Sequence, residues 1–346
     1  MILVTGGCGY IGSHFVLACR DAGRPVIVLD DLSSGHRDAI DPSVPFYEGD
    51  VADPALLARI AGAHRVTAVV HFAARISVSE SMTDPDLYIL ENEVKTARLA
   101  ALCRGHGIRD VILSSTAAVY GADTQRAAET DATVPLSPYG ATKLAAERAV
   151  RNTQGLRHVI LRYFNVAGAD PTGRVGQRNP DAAHLIARLC AVAMGRRPEL
   201  SVFGTDFDTR DGSAIRDFIH VSDIARAHLS ALDHLQRGGA SVTLNCGSER
   251  GVSVLEAVAA MEAVLGRRIP TVHRPRRAGD IAEIVADAQR IREVLGFAPR
   301  YGLREICADT LAYARVLALL KTDNETPMLR DVVCDRGAMT RDRRPA

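Results

Sequence analysis

The chain has 346 residues, 47% of them hydrophobic and 24% charged, and its formal net charge at pH 7 is +1. This composition is typical of a soluble globular protein with a sizeable core, and the balanced charge indicates neither a nucleic-acid partner nor an anionic membrane surface. No apolar run reaches the ~18 residues of a membrane span, and strand-like sequence from residue 2 onward leads us to expect no signal peptide.

The N-terminal half alternates short β-branched runs with amphipathic helical patterns. Strands are predicted at residues 2–5, 25–30, 45–49, 66–73, 110–115 and 158–163. Helices are predicted between them at residues 13–22, 55–61, 86–104 and 139–151. Strict alternation implies parallel strands joined by right-handed crossovers, so we predict an α/β fold with a Rossmann-type doubly wound parallel sheet over residues 1–166.

The alternation becomes irregular in the second half. A stretch rich in Gly, Pro and Asp leads to a predicted helix at residues 182–194. Predicted strands at 200–203 and 242–245 and a helix at 253–265 follow. We interpret residues 167–320 as a smaller mixed α/β lobe that crosses the carboxyl edge of the sheet and returns elements to it. Residues 321–346 lack periodicity, and we predict a poorly ordered tail there.

A glycine-rich turn follows the first predicted strand. Its glycines fit either G-x-x-G-x-x-G (Gly6, Gly9, Gly12) or G-x-G-x-x-G (Gly7, Gly9, Gly12). Either spacing allows a tight turn that brings free backbone N–H groups at a helix N-terminus to a pyrophosphate. Because the turn lies between a strand and a helix at the start of a βαβ pattern, the sequence predicts a dinucleotide site rather than a plain connector.

Carboxylates follow the next two predicted strands. Asp30 and Asp31 end the second strand, where a carboxylate accepts hydrogen bonds from an adenosine ribose diol and repels a 2′-phosphate. This favours NAD over NADP. Asp50, after the third strand, fits a contact to the adenine amino group, although Gly49-Asp50 is also an ordinary turn sequence.

A tyrosine and a lysine share one face of a predicted helix. Tyr139 and Lys143 are four residues apart, and Pro138 suits the first turn of that helix. Lys143 is one of only three lysines in the chain, which favours a functional pair over a surface tyrosine beside a solvated lysine. Ser114 and Thr116 close the fifth strand, at the sheet edge where open α/β folds bind ligands.

These residue types suit proton abstraction coupled to hydride transfer. Lowering the pKa of a tyrosine from about 10 to about 7 takes about 4 kcal/mol. A lysine ammonium about 5 Å away supplies roughly 3 kcal/mol at an effective dielectric near 20, so one cation is marginal. A positive nicotinamide ring supplies the second, and Tyr139 can then take a proton from a hydroxyl while hydride leaves the same carbon. Thr116 is placed to bridge that hydroxyl and the phenol.

Further motifs extend the pattern over residues 2–314. They are His71-Phe72-Ala73-Ala74, Ser79-Glu80-Ser81, Leu161-Arg162-Tyr163-Phe164-Asn165, Arg216-Asp217-Phe218-Ile219-His220 and Arg276-Arg277-Ala278-Gly279-Asp280. With these motifs, together with the glycine-rich turn and the Tyr139/Lys143 pair, the chain resembles the UDP-glucose 4-epimerases of the extended short-chain dehydrogenase/reductase family.

The resemblance implies a site for NAD and a UDP-sugar, with Tyr139, Lys143 and Thr116 as catalytic residues and residues 167–320 as the lobe that mainly binds substrate. It implies cofactor contacts from Gly6, Gly9, Tyr10, Ile11, Gly12, Asp30, Asp31, Asp50, Val51, Phe72, Ala73, Arg75, Asn92, Ser114, Tyr139, Lys143 and Tyr163. It implies substrate contacts from Thr116, Asn165, His184, Leu185, Phe203, Arg216, Arg277 and Asp280. Taken without the family, Arg276-Arg277 fits a solvated surface pair and Arg216-Asp217 an internal ion pair.

The resemblance implies 4-epimerisation of a UDP-sugar, UDP-glucose or UDP-galactose first, through a transient 4-keto intermediate. UDP-N-acetylhexosamine, UDP-pentose and UDP-uronate remain alternatives, because Ile284 is intermediate in size at a position that lines the family's sugar pocket. A 4,6-dehydratase is disfavoured since Ala117-Ala118 stand where those relatives carry Asp-Glu. A non-catalytic NAD-binding protein has no need of Thr116, Tyr139 and Lys143 together.

The family departures lie on the cofactor side, where Arg75 replaces a frequent lysine and residues 91–95 differ from the usual Asn-Asn-Val-x-Gly. The resemblance also implies a homodimer formed through the helices at residues 86–104 and 139–151. Seven scattered cysteines show no C-x-x-C or metal-ligand spacing, so we predict no metal and a reducing, cytoplasmic location. Cys8, in the glycine-rich turn, is either a redox-sensitive thiol or a tolerated small residue.

Overall fold

The structure is a computed structural model and describes residues 1–122, 124–179, 182–277 and 279–323. In these ranges the strands are β1 (Ile2–Thr5), β2 (Val26–Asp30), β3 (Phe46–Glu48), β4 (Ala68–His71), β5 (Asp110–Thr116), β6 (Arg126–Ala127), β7 (Arg157–Tyr163), β8 (Asn165–Ala167), β9 (Leu200–Phe203), β10 (Ile215–His220), β11 (Val242–Cys246), β12 (Gly251–Ser253), β13 (Thr271–Arg274) and β14 (Glu283–Ala286). The α-helices are α1 (Tyr10–Asp21), α2 (Pro54–Ala63), α3 (Val78–Thr83), α4 (Pro85–Tyr88), α5 (Lys95–Gly105), α6 (Pro138–Asn152), α7 (Leu185–Ala193), α8 (Val221–Gln236), α9 (Val254–Leu265), α10 (Gln289–Leu295) and α11 (Leu303–Asp323). Two 3₁₀ turns, Arg37–Ala39 and Ala117–Val119, and a π-helix, Ile89–Val94, complete the elements.

The main sheet of the described chain contains seven parallel strands in the order β3-β2-β1-β4-β5-β7-β11. β1 pairs with β2 on one side and with β4 on the other, so the direction of winding reverses at β1. This confirms the predicted Rossmann-type doubly wound fold. β11 adds beside β7, so the second half of the chain does return an element to the sheet. The domain boundary at residue 166 stays a prediction.

Helices cover both faces of this sheet. Successive side chains of a strand point to opposite faces, so each strand contributes apolar side chains to both. Val4 belongs to a core cluster with Phe15 of α1 and Leu232 of α8. Its neighbour Leu3 belongs to the cluster on the opposite face, with Leu57 of α2. Strand β1 is therefore buried on both sides, as its continuous apolar sequence predicts.

The smaller lobe has its own core. Buried side chains of α7, α9 and α11 pack together with those of β9, among them Leu189, Met261 and Ile306. A second sheet lies in this half, in the order β12-β10-β14-β6, and β8 also pairs with β10. Since β8 directly follows β7 of the main sheet, this pairing places the second sheet beside the carboxyl edge of the first.

Three predicted elements differ from the observed ones. The predicted helix at residues 86–104 is divided into α4, the π-helix Ile89–Val94 and α5. α7 begins at Leu185, later than predicted, with His184 as its N-cap residue. α11 continues to Asp323, because its last turns are rich in leucine and alanine, which favour helix. Residues 321–323 of the predicted tail are thus helical, and residues 324–346 lie outside the described residues.

Among the residues described, no helix combines the length and the apolar character needed to cross a bilayer.

A buried ion pair fixes α6 to the main sheet. Glu147 of α6 is 0% exposed and accepts hydrogen bonds from Arg162 of β7 at 2.9 and 2.8 Å. It also accepts one from the hydroxyl of Ser115 of β5 at 2.5 Å. Arg162 donates in turn to the Tyr120 hydroxyl, which donates to Asn245 of β11. Glu147 therefore links α6 directly to β5 and β7, and through Arg162 and Tyr120 to β11.

We expect Glu147→Ala to lower the free energy of unfolding by about 3–5 kcal/mol, because the substitution leaves the buried guanidinium of Arg162 without a negatively charged partner. Denaturant-induced unfolding followed by circular dichroism measures this change. The matched control is Glu199→Ala, since Glu199 pairs with Arg274 at 3.8 Å with both side chains about half exposed; its expected change is below about 1 kcal/mol. Equal effects of the two substitutions would contradict a structural role for the buried pair.

Candidate active site

One cleft of about 1260 Å³ runs along the carboxyl edge of the main sheet. Its wall contains most of the predicted site residues: Gly6, Gly9, Tyr10, Ile11, Gly12, Asp30, Asp31, Asp50, Val51, Phe72, Ala73, Arg75, Ser114, Thr116, Tyr139, Lys143, Tyr163, Asn165, His184, Arg216 and Asp280. Asn92, Leu185, Phe203 and Arg277 are predicted site residues that the structure does not bring into this wall. The cleft thus unites residues far apart in the sequence.

The glycine-rich turn is sterically closed to larger residues. Gly6 has φ +70°, and a Cβ there would lie 2.5 Å from the backbone nitrogen of Ala73. A Cβ on Gly12 would lie 2.1 Å from the carbonyl oxygen of Gly6. Gly7 packs against Val28 rather than lining the cleft, so the cleft-facing glycines follow the G-x-x-G-x-x-G spacing.

The N-terminus of α1 presents free donors to this turn. Its N-cap residue Gly9 has no side chain to cap the first N–H groups. The amides of Ile11 and Gly12 lie in that first turn and on the wall of the cleft. Uncapped N–H groups with the helix dipole behind them are suited to an anion such as a pyrophosphate.

Asp30 fastens the glycine-rich turn to the end of β2. Its two carboxylate oxygens accept hydrogen bonds from the backbone amides of Cys8 at 2.8 Å and Leu32 at 2.9 Å. Burial raises the pKa of Asp30, and these two hydrogen bonds oppose the rise. Asp31 is exposed at the rim and accepts hydrogen bonds from Ser33. Both carboxylates lie where the sequence predicts contacts to a ribose diol.

Cys8 is buried within the glycine-rich turn. Its side chain is 2% exposed, and burial together with the nearby charge of Asp30 raises its pKa to about 12. The thiolate is therefore scarce at neutral pH. Of the two interpretations of Cys8, the structure favours a tolerated small residue.

α6 brings the tyrosine and lysine into the cleft. The helix begins after Ser137, whose side chain caps the amide of Gly140, with Pro138 in the first turn. Tyr139 and Lys143 then lie on one face, as predicted, and both line the cleft. Thr116, at the end of β5, also lines the cleft, and its hydroxyl is near enough to the Tyr139 phenol to lower the pKa of that phenol.

Burial dominates the electrostatics of this pair. It raises the pKa of Tyr139, and the Thr116 hydroxyl opposes the rise. It lowers the pKa of Lys143 to about 8, against the attraction of Glu147 one turn further along α6. Lys143 alone therefore does not bring Tyr139 below its ordinary pKa, in agreement with the argument that a second cation is required.

A buried hydrogen-bond chain reaches the cleft wall at Ser114 and Tyr163. The Nδ1 atom of His228 lies 2.8 Å from the carbonyl oxygen of Ile224, so Nδ1 must carry the proton. Burial lowers the pKa of His228 to about 4, so the ring is neutral and Nε2 accepts from the Tyr163 hydroxyl at 2.5 Å. The Tyr163 hydroxyl also lies 2.9 Å from the Ser114 hydroxyl, so His228, Tyr163 and Ser114 form one connected chain at the cleft wall.

The opposite wall carries cationic groups from the smaller lobe. Arg216 of β10 lines the cleft, whereas its neighbour Asp217 accepts hydrogen bonds from Ser248 and from backbone amides. Arg277 pairs with Asp280 at 2.9 Å and lies over the ring of Phe203, 4.9 Å from its centroid. Arg277 is therefore held beside Asp280 of the cleft wall, with its own side chain 60% exposed.

Asn92 faces the protein rather than the cleft. Its side chain accepts from the backbone N–H of Arg75 at 2.8 Å and donates to the backbone carbonyl of the same residue at 3.0 Å. It is 1% exposed and also donates to Thr142. Asn92 thus positions the segment that carries Arg75 rather than forming part of the wall itself.

Sequence reasoning missed Glu147, His228 and Lys95 as contributors to the site. Glu147 follows Lys143 by four residues, a helical spacing that could have indicated the contact. Lys95 was noticeable as one of three lysines. His228 left no signal, because its partner Tyr163 is remote in sequence. In the described part of the chain, no group of three or more His, Cys, Asp or Glu side chains is arranged to hold a metal ion.

Comparison with known proteins identifies close relatives. Residues 2–247 match the NAD dependent epimerase/dehydratase family. A UDP-glucose 4-epimerase of Azospirillum brasilense is 51% identical over 321 residues, which cover 91% of this chain and 92% of the relative. One from Halalkalibacterium halodurans is 44% identical over 304 residues, which cover 87% and 91%.

Solved structures agree with these relatives. A UDP-glucose-4-epimerase of Stenotrophomonas maltophila, with bound NAD and formylated UDP-arabinopyranose, is 36% identical with a TM-score of 0.89, covering 92% of this chain and 99% of its own. The UDP-Glc/GlcNAc 4-epimerase of Campylobacter jejuni is 40% identical with a TM-score of 0.79, covering 91% and 99%.

We expect Lys143→Met to increase stability at pH 7 by up to about 3 kcal/mol. The pKa of Lys143 falls from 10.5 to about 8 on folding, so the unfolded chain binds more protons between these pH values. The free energy of unfolding of the native protein therefore rises with pH through this window, and the advantage of Lys143→Met should shrink there. Urea unfolding of both proteins at pH 7, 9 and 10.5 measures the difference in their free energies of unfolding.

Arg268→Met is the control, because it removes a cation whose side chain is 93% exposed. A loss of stability in Lys143→Met that is the same at every pH would contradict the assignment of Lys143 as a buried, destabilised cation.

Proposed function

Because the chain belongs to the NAD dependent epimerase/dehydratase family, we propose that it epimerises a UDP-sugar at C4, with UDP-glucose and UDP-galactose as the first substrates to consider. The observation that carries the proposal is the cleft wall that brings Tyr139, Lys143 and the Thr116 hydroxyl together. These groups can remove and return a hydroxyl proton. Relatives named UDP-glucose 4-epimerase at up to 51% identity support the same reaction.

The glycine-rich turn and the carboxylates after β2 fit NAD. A Cβ at Gly6 or Gly12 would clash with neighbouring backbone, so glycine is required for the tight turn that presents backbone amides to a pyrophosphate. Asp30 and Asp31 supply acceptors for a ribose diol, and their negative charge disfavours a 2′-phosphate. Bound there, NAD supplies a hydride acceptor that becomes the hydride donor for the return step.

Tyr139 is the proposed acid and base. It accepts the proton of the sugar 4-hydroxyl as hydride leaves C4, and it returns that proton when hydride comes back to the opposite face. Electrons and protons balance over the cycle, so no net oxidation occurs. Thr116 orients the hydroxyl, and Lys143 with the positively charged cofactor stabilises the phenolate. Burial of the site strengthens these interactions by excluding water.

The smaller lobe is proposed to hold the UDP part while the keto-sugar turns. Arg216 and Arg277 suit the diphosphate, since guanidinium groups bind phosphate oxygens in a bidentate way. Phe203, which already lies under Arg277, suits the uracil ring. The remaining proposed contacts are Asn165, His184 and Leu185 to the sugar diphosphate and Asp280 to a ribose hydroxyl.

The identity of the sugar depends on the end of the cleft nearest Ile284. This residue lines the cleft and is 7% exposed, so a change in its size changes the space for the sugar. Ala117 and Ala118 also line the cleft, and neither carries a group that can transfer the proton needed for 4,6-dehydration. The proposal is therefore epimerisation, with hexose, N-acetylhexosamine, pentose and uronate as the substrates to compare.

A homodimer and a cytoplasmic location complete the proposal. Large apolar side chains are exposed around the π-helix and the cleft rim: Ile76, Val78, Met82, Ile89, Leu90, Val94, Val134 and Leu136. An apolar surface of this kind supports association with a second copy. Six cysteines in the described residues are free and buried, which is compatible with a reducing compartment.

We expect Tyr139→Phe to lower kcat for UDP-galactose epimerisation by at least about 100-fold, because the substitution removes only the hydroxyl that exchanges the proton. Chromatographic separation of UDP-glucose from UDP-galactose measures the rate. Binding of NAD and the melting temperature should stay close to wild type, since Tyr139→Phe keeps the ring and its packing. Undiminished turnover, or an unchanged cellular phenotype in a complementation test, would instead support a non-catalytic NAD-binding protein.

A further inference from the structure

Lys95 lies in the cleft wall with two carboxylates. Its ammonium is 2.8 Å from a carboxylate oxygen of Asp50 and 2.7 Å from one of Glu91. All three residues line the cleft, and the Lys95 side chain is 17% exposed. Lys95 belongs to the segment, residues 91–95, in which the sequence departs from the family pattern.

The two carboxylates belong to opposite sides of one end of the cleft. Asp50 follows β3, at the edge strand of the main sheet, and is tied to its own loop by the amide of Ala52 at 2.8 Å. Glu91 lies in the π-helix, and Lys95 is the first residue of α5. The Lys95–Asp50 contact therefore joins the loop after β3 to the helical wall.

A π-helix lies in this wall of the cleft. Within it, Asn92 accepts a hydrogen bond from the backbone of Arg75, while Glu91 and Lys95, four residues apart, are paired on the side that contacts Asp50. An interruption of an α-helix by a π turn is frequent at functional sites.

We propose that Lys95 is a cofactor-retaining residue that joins the two walls of the cleft around the adenosine end of bound NAD and slows its release. The inference rests on the proposed function, since it takes Asp30, Asp31 and Asp50 as the adenosine end of the site. Separation of the walls breaks the Lys95–Asp50 ion pair, so the pair opposes the opening through which the adenosine leaves. Lys95 also sets the carboxylate of Asp50 in place beside the adenine.

The charges support this role. Burial raises the pKa of Asp50, but the hydrogen bonds from Lys95 and Ala52 outweigh it and keep the pKa below its ordinary value. Burial lowers the pKa of Lys95, and its two carboxylate partners reverse the direction. The pair is thus ionised at neutral pH. Because Asp50 is 43% exposed, the contribution is that of a partly solvated ion pair and depends on salt.

The test is the rate at which the full-length protein releases radiolabelled NAD into an excess of unlabelled NAD. Lys95→Met keeps the length of the side chain and removes its charge, and Lys95→Arg restores the charge. We expect Lys95→Met to release NAD up to about fivefold faster than wild type at low salt, and Lys95→Arg to match wild type. At about 1 M salt the wild-type rate should approach that of Lys95→Met.

Arg268→Met removes an exposed ion-paired cation outside the cleft and should leave the release rate unchanged. If Lys95→Met fails to fold, Lys95→Gln keeps the proposal testable, because it also removes the ammonium that pairs with Asp50 and should accelerate release in the same direction. If wild type and the folded variant release NAD at the same rate at low salt, the role of Lys95 is overturned while the proposed epimerase activity is unaffected. A wild-type protein that holds no NAD overturns both.

Discussion

The buried pair of Glu147 and Arg162 is the interaction on which the active-site geometry depends. Glu147 follows Lys143 by one helical turn, so a carboxylate that fixes α6 to β5 and β7 also fixes the helix that presents Tyr139 and Lys143. Buried charges are rarely a source of net stability, and hydrophobic replacements are often as stable. What this pair supplies is a defined position for α6 relative to the strand that ends in Thr116.

The same region also contains Lys143, a cation whose burial disfavours its charged form. Lys143 is buried, and its pKa falls to about 8 in spite of Glu147. Tyr139 is likewise buried, and its pKa rises. Burial thus opposes the phenolate that the proposed reaction needs. A positively charged nicotinamide ring held near Tyr139 would favour that phenolate, which would couple the proposed catalysis to cofactor binding.

Features set by short-range spacing were predictable from the sequence. The alternation of elements predicted the parallel sheet, the glycine spacing predicted the turn at Gly6, and the interval of four residues placed Tyr139 and Lys143 together. Contacts between remote segments were not predictable. Arg162 and Glu147 meet only after β7 and α6 pack. The sequence around Asn92 has the pattern of a continuous helix, but a π-helix interrupts it, and Asn92 binds the backbone of Arg75 rather than lining the cleft. Helix α8, which carries His228, also escaped prediction.

The most direct test of the proposed function is to incubate the purified protein with UDP-galactose without added NAD and to separate the products by chromatography, with parallel reactions on UDP-N-acetylgalactosamine, UDP-arabinose and UDP-glucuronate. We expect conversion of at least one of these to its C4 epimer, with no net consumption of NAD and no net accumulation of NADH. Failure to convert any of them, even with NAD supplied, or stoichiometric consumption of NAD, would contradict it.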